Sequence, residues 1–258
     1  SLCEYIYSRG FFLGIRWLID NKTARIPFPM FYTFWSVVGI WLIYLLIKEI
    51  QNRKKGISRK QWWLNALVSF GNFSGGLVFF FMVLWGFNYA RIPLEKQMGI
   101  SVNELNPAEM RIEADMMTKL CYESRSQIPG IDTFEITEKL FPEDLETEMR
   151  NCLVRVLKDL GYPTVGKVRV RLLYPGLLYG FNSSGVYWPF TGEGHIESAL
   201  HILQKPFTIA HEMSHGYGFG DEGTCNFLGY LACLRSENPA IRYSGHLNYW
   251  RYVYSEVD

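Results

Sequence analysis

Toward the end of the 258-residue chain stands His211-Glu212-Met213-Ser214-His215. Two histidines four apart share one face of a helix, so both imidazoles can reach a single ion. The glutamate between them projects beside that ion and can take a proton from metal-bound water. From the chain's own His and Glu frequencies, a chance HExxH arises on the order of once in 150 such chains, so the pentapeptide needs support from its surroundings.

Support follows directly. Gly216, Gly218 and Gly220 break the helix and permit a tight reversal. A second helix can then start near Asp221 and run through Cys233, with Glu222, Asn226 and Tyr230 on one face. That face can close on the first helix and supply an oxygen ligand; two His, one Glu and an open position make a catalytic rather than a structural zinc site. A competing parse, His-Glu-x-x-His-x-x-Gly218-x-x-Asp221, fits the metzincin pattern and makes Asp221 the alternative ligand. That pattern needs a downstream methionine turn, and the last methionine here is Met213. Glu222 is therefore the favoured third ligand.

The elements that must hold this site follow from composition. The chain is 48% hydrophobic, which excludes disorder, and its 26 basic against 25 acidic residues exclude a global pull on nucleic acid. Ile26 to Ile47 carries no charge. Its 22 residues would rise about 33 Å as a helix, enough to cross a hydrocarbon core of roughly 30 Å. Gln61 to Ala90 is also uncharged, with Trp62, Trp63 and Tyr89 where interfacial aromatics lie. Two transmembrane helices are expected, at about 27–47 and 64–87, after an interfacial segment 1–25 that is too short to span and is interrupted by Arg16 and Asp20. The connection 48–60 is basic (Lys48, Arg53, Lys54, Lys55, Arg59, Lys60 against Glu49) and points to the cytoplasm by density, although Arg9, Arg16, Lys22, Arg25, Arg91 and Lys96 equal it in number on the other side. The part after the spans then lies outside the cytoplasm. Five irregularly spaced cysteines imply neither a disulfide framework nor a CxxC site. The chain opens on Ser1, and a further N-terminal segment, a span or a signal, is expected ahead of it.

Residues 91–258 have a soluble, α+β composition. Asn106-Pro107-Ala108-Glu109 opens a helix to about Glu123, and Pro142 to Leu160 forms another, stopped by Gly161. Lys167 to Tyr174 alternates like a strand, and Gly176 to Phe190 supplies one or two more. The fold class expected is two transmembrane helices followed by a mainly helical domain with a small sheet. The stretch Tyr187 to Glu193 (Tyr187, Trp188, Phe190, Thr191, Glu193) is a candidate edge strand for an extended peptide. Tyr243, His246 and upstream His195 are candidate donors to an oxyanion. His201 and the aromatic tail Tyr249 to Tyr254 suit packing.

The blocks Gly185 to Glu193, Pro206-Phe-Thr-Ile-Ala-His211-Glu-Met-Ser-His215, Gly218-Phe219, Glu222, Asn226-Phe-Leu-Gly-Tyr-Leu-Ala-Cys233 and Arg242-Tyr-Ser-Gly245 resemble an uncharacterised family of bacterial integral membrane zinc peptidases that carries a domain-of-unknown-function label. The resemblance covers nearly the whole chain and is densest from Gly185 to Tyr254. It implies a zincin-like, gluzincin-like domain holding one Zn²⁺ on His211, His215 and Glu222, with Glu212 as general base. Its Glu-x-x-x-Asn block also looks like the Glu-x-x-x-Asp helix of membrane gluzincins, where the second acid supports a ligand. Here Asn226 can orient a histidine only as a neutral partner. The sequence departs from the family pattern at Gly223 and Thr224, where a second acid is common. A peptide or protein substrate at a bacterial inner membrane follows from this reading. A non-catalytic envelope module, in which zinc only folds the domain, is the alternative.

Overall fold

The computed structural model describes residues 2–23, 26–54, 56, 58–101, 106–131 and 135–255. A π-helical segment, Cys3–Phe11, leads into α1 (Phe12–Thr23). Next come α2 (Met30–Lys54) and α3 (Arg59–Leu84), both long and apolar enough to cross a membrane. In neither apolar span is a described residue buried inside the molecule. The two helices touch through the stacked rings of Trp41 and Phe73, 4.8 Å apart. Both run past the expected spans at the basic end. α2 continues to Lys54, and Ser58 caps α3 by accepting from Gln61 N–H. Most of the stretch expected as a loop, 48–60, is therefore helical, with Lys55 outside the described residues. Ser1 and Arg25 of the expected N-terminal segment also lie outside them.

A short turn, Gly86–Ala90, and α4 (Leu94–Gln97) lead to α5 (Pro107–Ser126), capped by Asn106 with Pro107 in its first turn. α6 (Leu145–Asp159) begins after Pro142 because Asp144 takes the cap, accepting from Thr147 N–H. The sheet has the order β1-β3-β2, with β1 (Arg169–Leu173) parallel to β3 (Glu193–Glu197) and β2 (Gly185–Trp188) antiparallel to it. α7 (Lys205–Gly216) lies across all three strands, α8 (Glu222–Leu234) packs on α7, and α9 (Pro239–Ser255) covers α5 and α8. Met149, Leu153, Ile196, Met213 and Leu228 form the centre of one apolar core.

The membrane-length hairpin joins this domain at one end. The first turns of α2 set Phe31 and Phe34 against Trp188, and Phe34 stacks on Phe190 at 5.1 Å. The Met30 N–H donates to Glu193, whose other oxygen pairs with buried Arg169. The segment before α2 is also docked. Its Arg16 pairs with Asp20 and donates to the Tyr187 hydroxyl, and Asp20 accepts from Lys167 N–H. Its apolar residues Ile6, Phe11, Trp17 and Leu18 face outward.

Candidate metal centre

α7 starts with Pro206 in its first turn and ends where Gly218 adopts φ +89°. That backbone favours glycine and turns the chain into α8. The reversal brings Glu222, the first residue of α8, over the histidine face of α7. His211 Nε2 and His215 Nε2 are 3.2 Å apart, and the Glu222 carboxylate lies 3.1 Å from the first and 3.5 Å from the second. Zinc bonds of about 2.0–2.1 Å at tetrahedral angles space neighbouring donor atoms about 3.3–3.4 Å apart. The three donors thus fit one face of a zinc tetrahedron, and among the described residues they form the one group of this kind.

The rings are held from behind. His211 Nδ1 is 2.9 Å from Asn226 Oδ1, and His215 Nδ1 is 2.9 Å from the Phe219 carbonyl. Two acceptors at Nδ1 fix the tautomer that leaves each Nε2 lone pair free for a metal. Burial opposes a charge on His215, but its bonds to Cys225 and Glu222 prevail and raise its pKa to about 11. The same bonds hold Glu222 well below the usual carboxylate range.

Glu212 sits under the sheet. Burial lifts its carboxyl to about 7, against the pull of His211 and His215. Its Oε2 is buried without a hydrogen-bond partner. The carboxyl packs on the bare Cα of Gly185, where a Cβ would collide with it, and a Cβ on Gly194 would lie 2.8 Å from Glu212 Cβ. The donors open onto a cavity of about 690 Å³, bordered by β2 on one side and α3 on the other.

Other residues singled out in the sequence fall in different places. Asp221 caps α8, its carboxylate accepting from Thr224 N–H at 2.6 Å, so it is spent on the helix and not on the donor cluster. Tyr243 and His246 are not at the centre, because α9 packs on α5 and α8: His246 faces Tyr230, 3.1 Å away, and Tyr243 packs against the core. Tyr187, Trp188 and Phe190 line the cavity, with Tyr187 turned inward to Arg16. Thr191 lies in the β2–β3 turn, and Glu193 stands on the inner strand β3 in its pair with Arg169, so neither belongs to the edge strand. His195, also on β3, is fully buried without a hydrogen bond, and burial first, then Arg169 and Arg171, lower it to about 3. Trp85 carries no chemical signal in the sequence, yet its indole N–H donates to the His215 carbonyl at 2.7 Å. The one sequence signal of Gly185 and Gly194 is glycine inside strands beside a catalytic motif.

Membrane-length helices joined to a mostly helical domain that carries His-Glu-x-x-His and a following Glu define a gluzincin-like zinc-motif architecture. The chain belongs to the family described as "Protein of unknown function (DUF3810)", whose profile covers residues 7–258. No curated protein and no solved structure matches it.

Proposed function

We propose that this chain is a membrane-anchored zinc endopeptidase that binds one zinc on His211, His215 and Glu222. The observation that carries this reading is Glu212. A buried carboxyl with a free oxygen beside three converging donors has no use in a purely structural site. This favours catalysis over the scaffold alternative. Bound zinc supplies Lewis acidity toward a peptide carbonyl and an acidified water. Asn226 and the Phe219 carbonyl keep the imidazoles aimed. β2 is an edge strand bordering the cavity, suited to an extended peptide. Glu212 accepts a proton from the water as hydroxide adds to the carbonyl carbon. It returns that proton to the amide nitrogen as the C–N bond breaks, leaving a carboxylic acid and an amine. The basic stretch at the far end of the hairpin supports a bacterial inner-membrane setting with the domain outside.

The test uses the full chain in detergent with added Zn²⁺ and a randomised peptide library read by mass spectrometry. Glu212→Gln should keep one zinc and lose about 10³-fold or more in hydrolysis. His215→Ala and Glu222→Gln should lose zinc, whereas Asp221→Asn should keep it. Hydrolysis by Glu212→Gln at the parent rate, or zinc retained by His215→Ala, overturns the assignment.

A further inference from the structure

The cavity above the donors has two unlike walls. The domain contributes β2, Trp188 and Phe207; the other wall is α3, through Leu77, Val78, Phe81 and Trp85. α3 buries no residue, and Val78 is 60% exposed. Trp62 and Trp63 at one end of the helix mark an interface, and a hydrocarbon thickness of roughly 30 Å spans about 20 helical residues, to about Val83. Val78 stands five residues, about 8 Å, inward of that point. The α3 wall of the cavity therefore lies within the depth of the bilayer, and the cavity opens sideways as well as outward.

Charge divides the surroundings. Outside His211, Glu212, His215 and Glu222, none of the described residues lining this cavity is charged. A second cavity, of about 820 Å³, adjoins it at Tyr89 and Glu222 and carries Arg91, Glu95 and Asp221. The metal donors thus lie between an uncharged, lipid-flanked compartment and a charged one. A charged segment in the first would pay several kcal/mol of desolvation, which an apolar one avoids. Acyl chains would suit the apolar wall but would leave the edge of β2 unpaired. An extended polypeptide satisfies that edge together with its own backbone, which it must do wherever water is excluded.

We propose that the substrates are polypeptides with a membrane-embedded apolar segment, drawn sideways out of the bilayer through the gap between α3 and the β2–β3 hairpin. This rests on the peptidase reading and adds the substrate class to it. The apolar segment lies against Leu77, Val78 and Phe81, the chain extends along β2 as it emerges, and the polar continuation passes Tyr89 into the charged cavity. The scissile bond then falls within a few residues of the hydrocarbon boundary.

The full chain, zinc-loaded in phosphatidylcholine vesicles, is given a randomised polar tail fused directly to a Leu/Ala segment of about 20 residues, long enough to span. A second library carries the same tail on the same anchor through a long Gly/Ser linker. Both are concentrated at the membrane, so a difference between them does not arise from co-localisation. Direct fusions should be cut ~10-fold faster, next to the anchor, and Val78→Trp should lower the direct-to-linker ratio severalfold. Equal rates for the two libraries, or an equal loss on both in Val78→Trp, overturns the proposal. A second arm places benzoylphenylalanine at Val78 in the Glu212→Gln background. Photocrosslinking to the anchored peptide supports the groove even if no library is hydrolysed, in which case the peptidase reading alone falls. Crosslinking to lipid only, with tails still hydrolysed, removes the groove and leaves the peptidase.

Discussion

The two ends of the chain present opposite surfaces. In the N-terminal part Ile6, Phe11, Trp17 and Leu18 face out and α3 buries nothing, while Glu4, Ser8, Arg16 and Asp20 are buried beside Phe12. In the C-terminal part Met149, Leu153, Ile196 and Met213 are buried together around α6, α7 and β3. One physical rule produces both arrangements. Apolar surface leaves water, and polar groups that cannot reach water pair with one another. The surrounding solvent differs, and the inverted half is built for lipid. The boundary between the two runs through the candidate metal centre, whose donors come from the water-type half and one of whose walls comes from the lipid-type half.

The largest effect should come where polar groups tie the halves together. Arg169→Met leaves the Glu193 carboxylate buried without its cation, and should cost about 3–5 kcal/mol in denaturant unfolding of the full chain in detergent. A loss under about 1 kcal/mol would mean that the pair does not anchor the sheet to the start of α2.

Matched truncations probe the comparison itself. Leu153→Ala, at a fully buried position in α6, should cost about 2–5 kcal/mol. Leu67→Ala, at a 68% exposed position in α3, should cost about 0.5 kcal/mol or less in the same assay. Similar losses at both sites would show that α3 is packed inside protein and would remove the contrast.

The last effect is one of pH. Burial lowers His195 from 6.5 to about 3, so the folded state holds it neutral while the unfolded chain takes up a proton below its ordinary value. Its contribution is complete above pH 6.5 and is lost as pH falls through the window toward 3. The thermal midpoint of the parent should therefore drop between pH 7 and 5.5, and that of His195→Gln should drop less. Parallel curves would place the cause elsewhere.

What could be read before the fold was known was local. The two histidines of α7 share a face by helical period alone, and the glycines after them announce the reversal that presents Glu222. Span length follows from uncharged runs. What could not be read depended on partners far along the chain. Arg16 and Asp20 looked like interruptions of an apolar stretch, because their acceptor and donor, Tyr187 and Lys167, lie more than a hundred residues away. Glu193 seemed continuous with Trp188, yet the intervening turn carries it to the inner strand and to Arg169. Tyr243 and His246 follow the metal helices closely in sequence, but α9 swings onto α5 and takes them away from the centre.

Trp85 gives the hairpin a role beyond holding the domain at a surface. Its indole bonds the backbone of a candidate metal-donor histidine, and Met30, where the hairpin begins, bonds the carboxylate that anchors the sheet. A chain cut at Arg91 would thus leave a bared carbonyl behind His215, one oxygen of Glu193 without its donor and a site missing one side. For this protein, solubilising the domain by truncation dismantles the very cleft that such a preparation would be made to study.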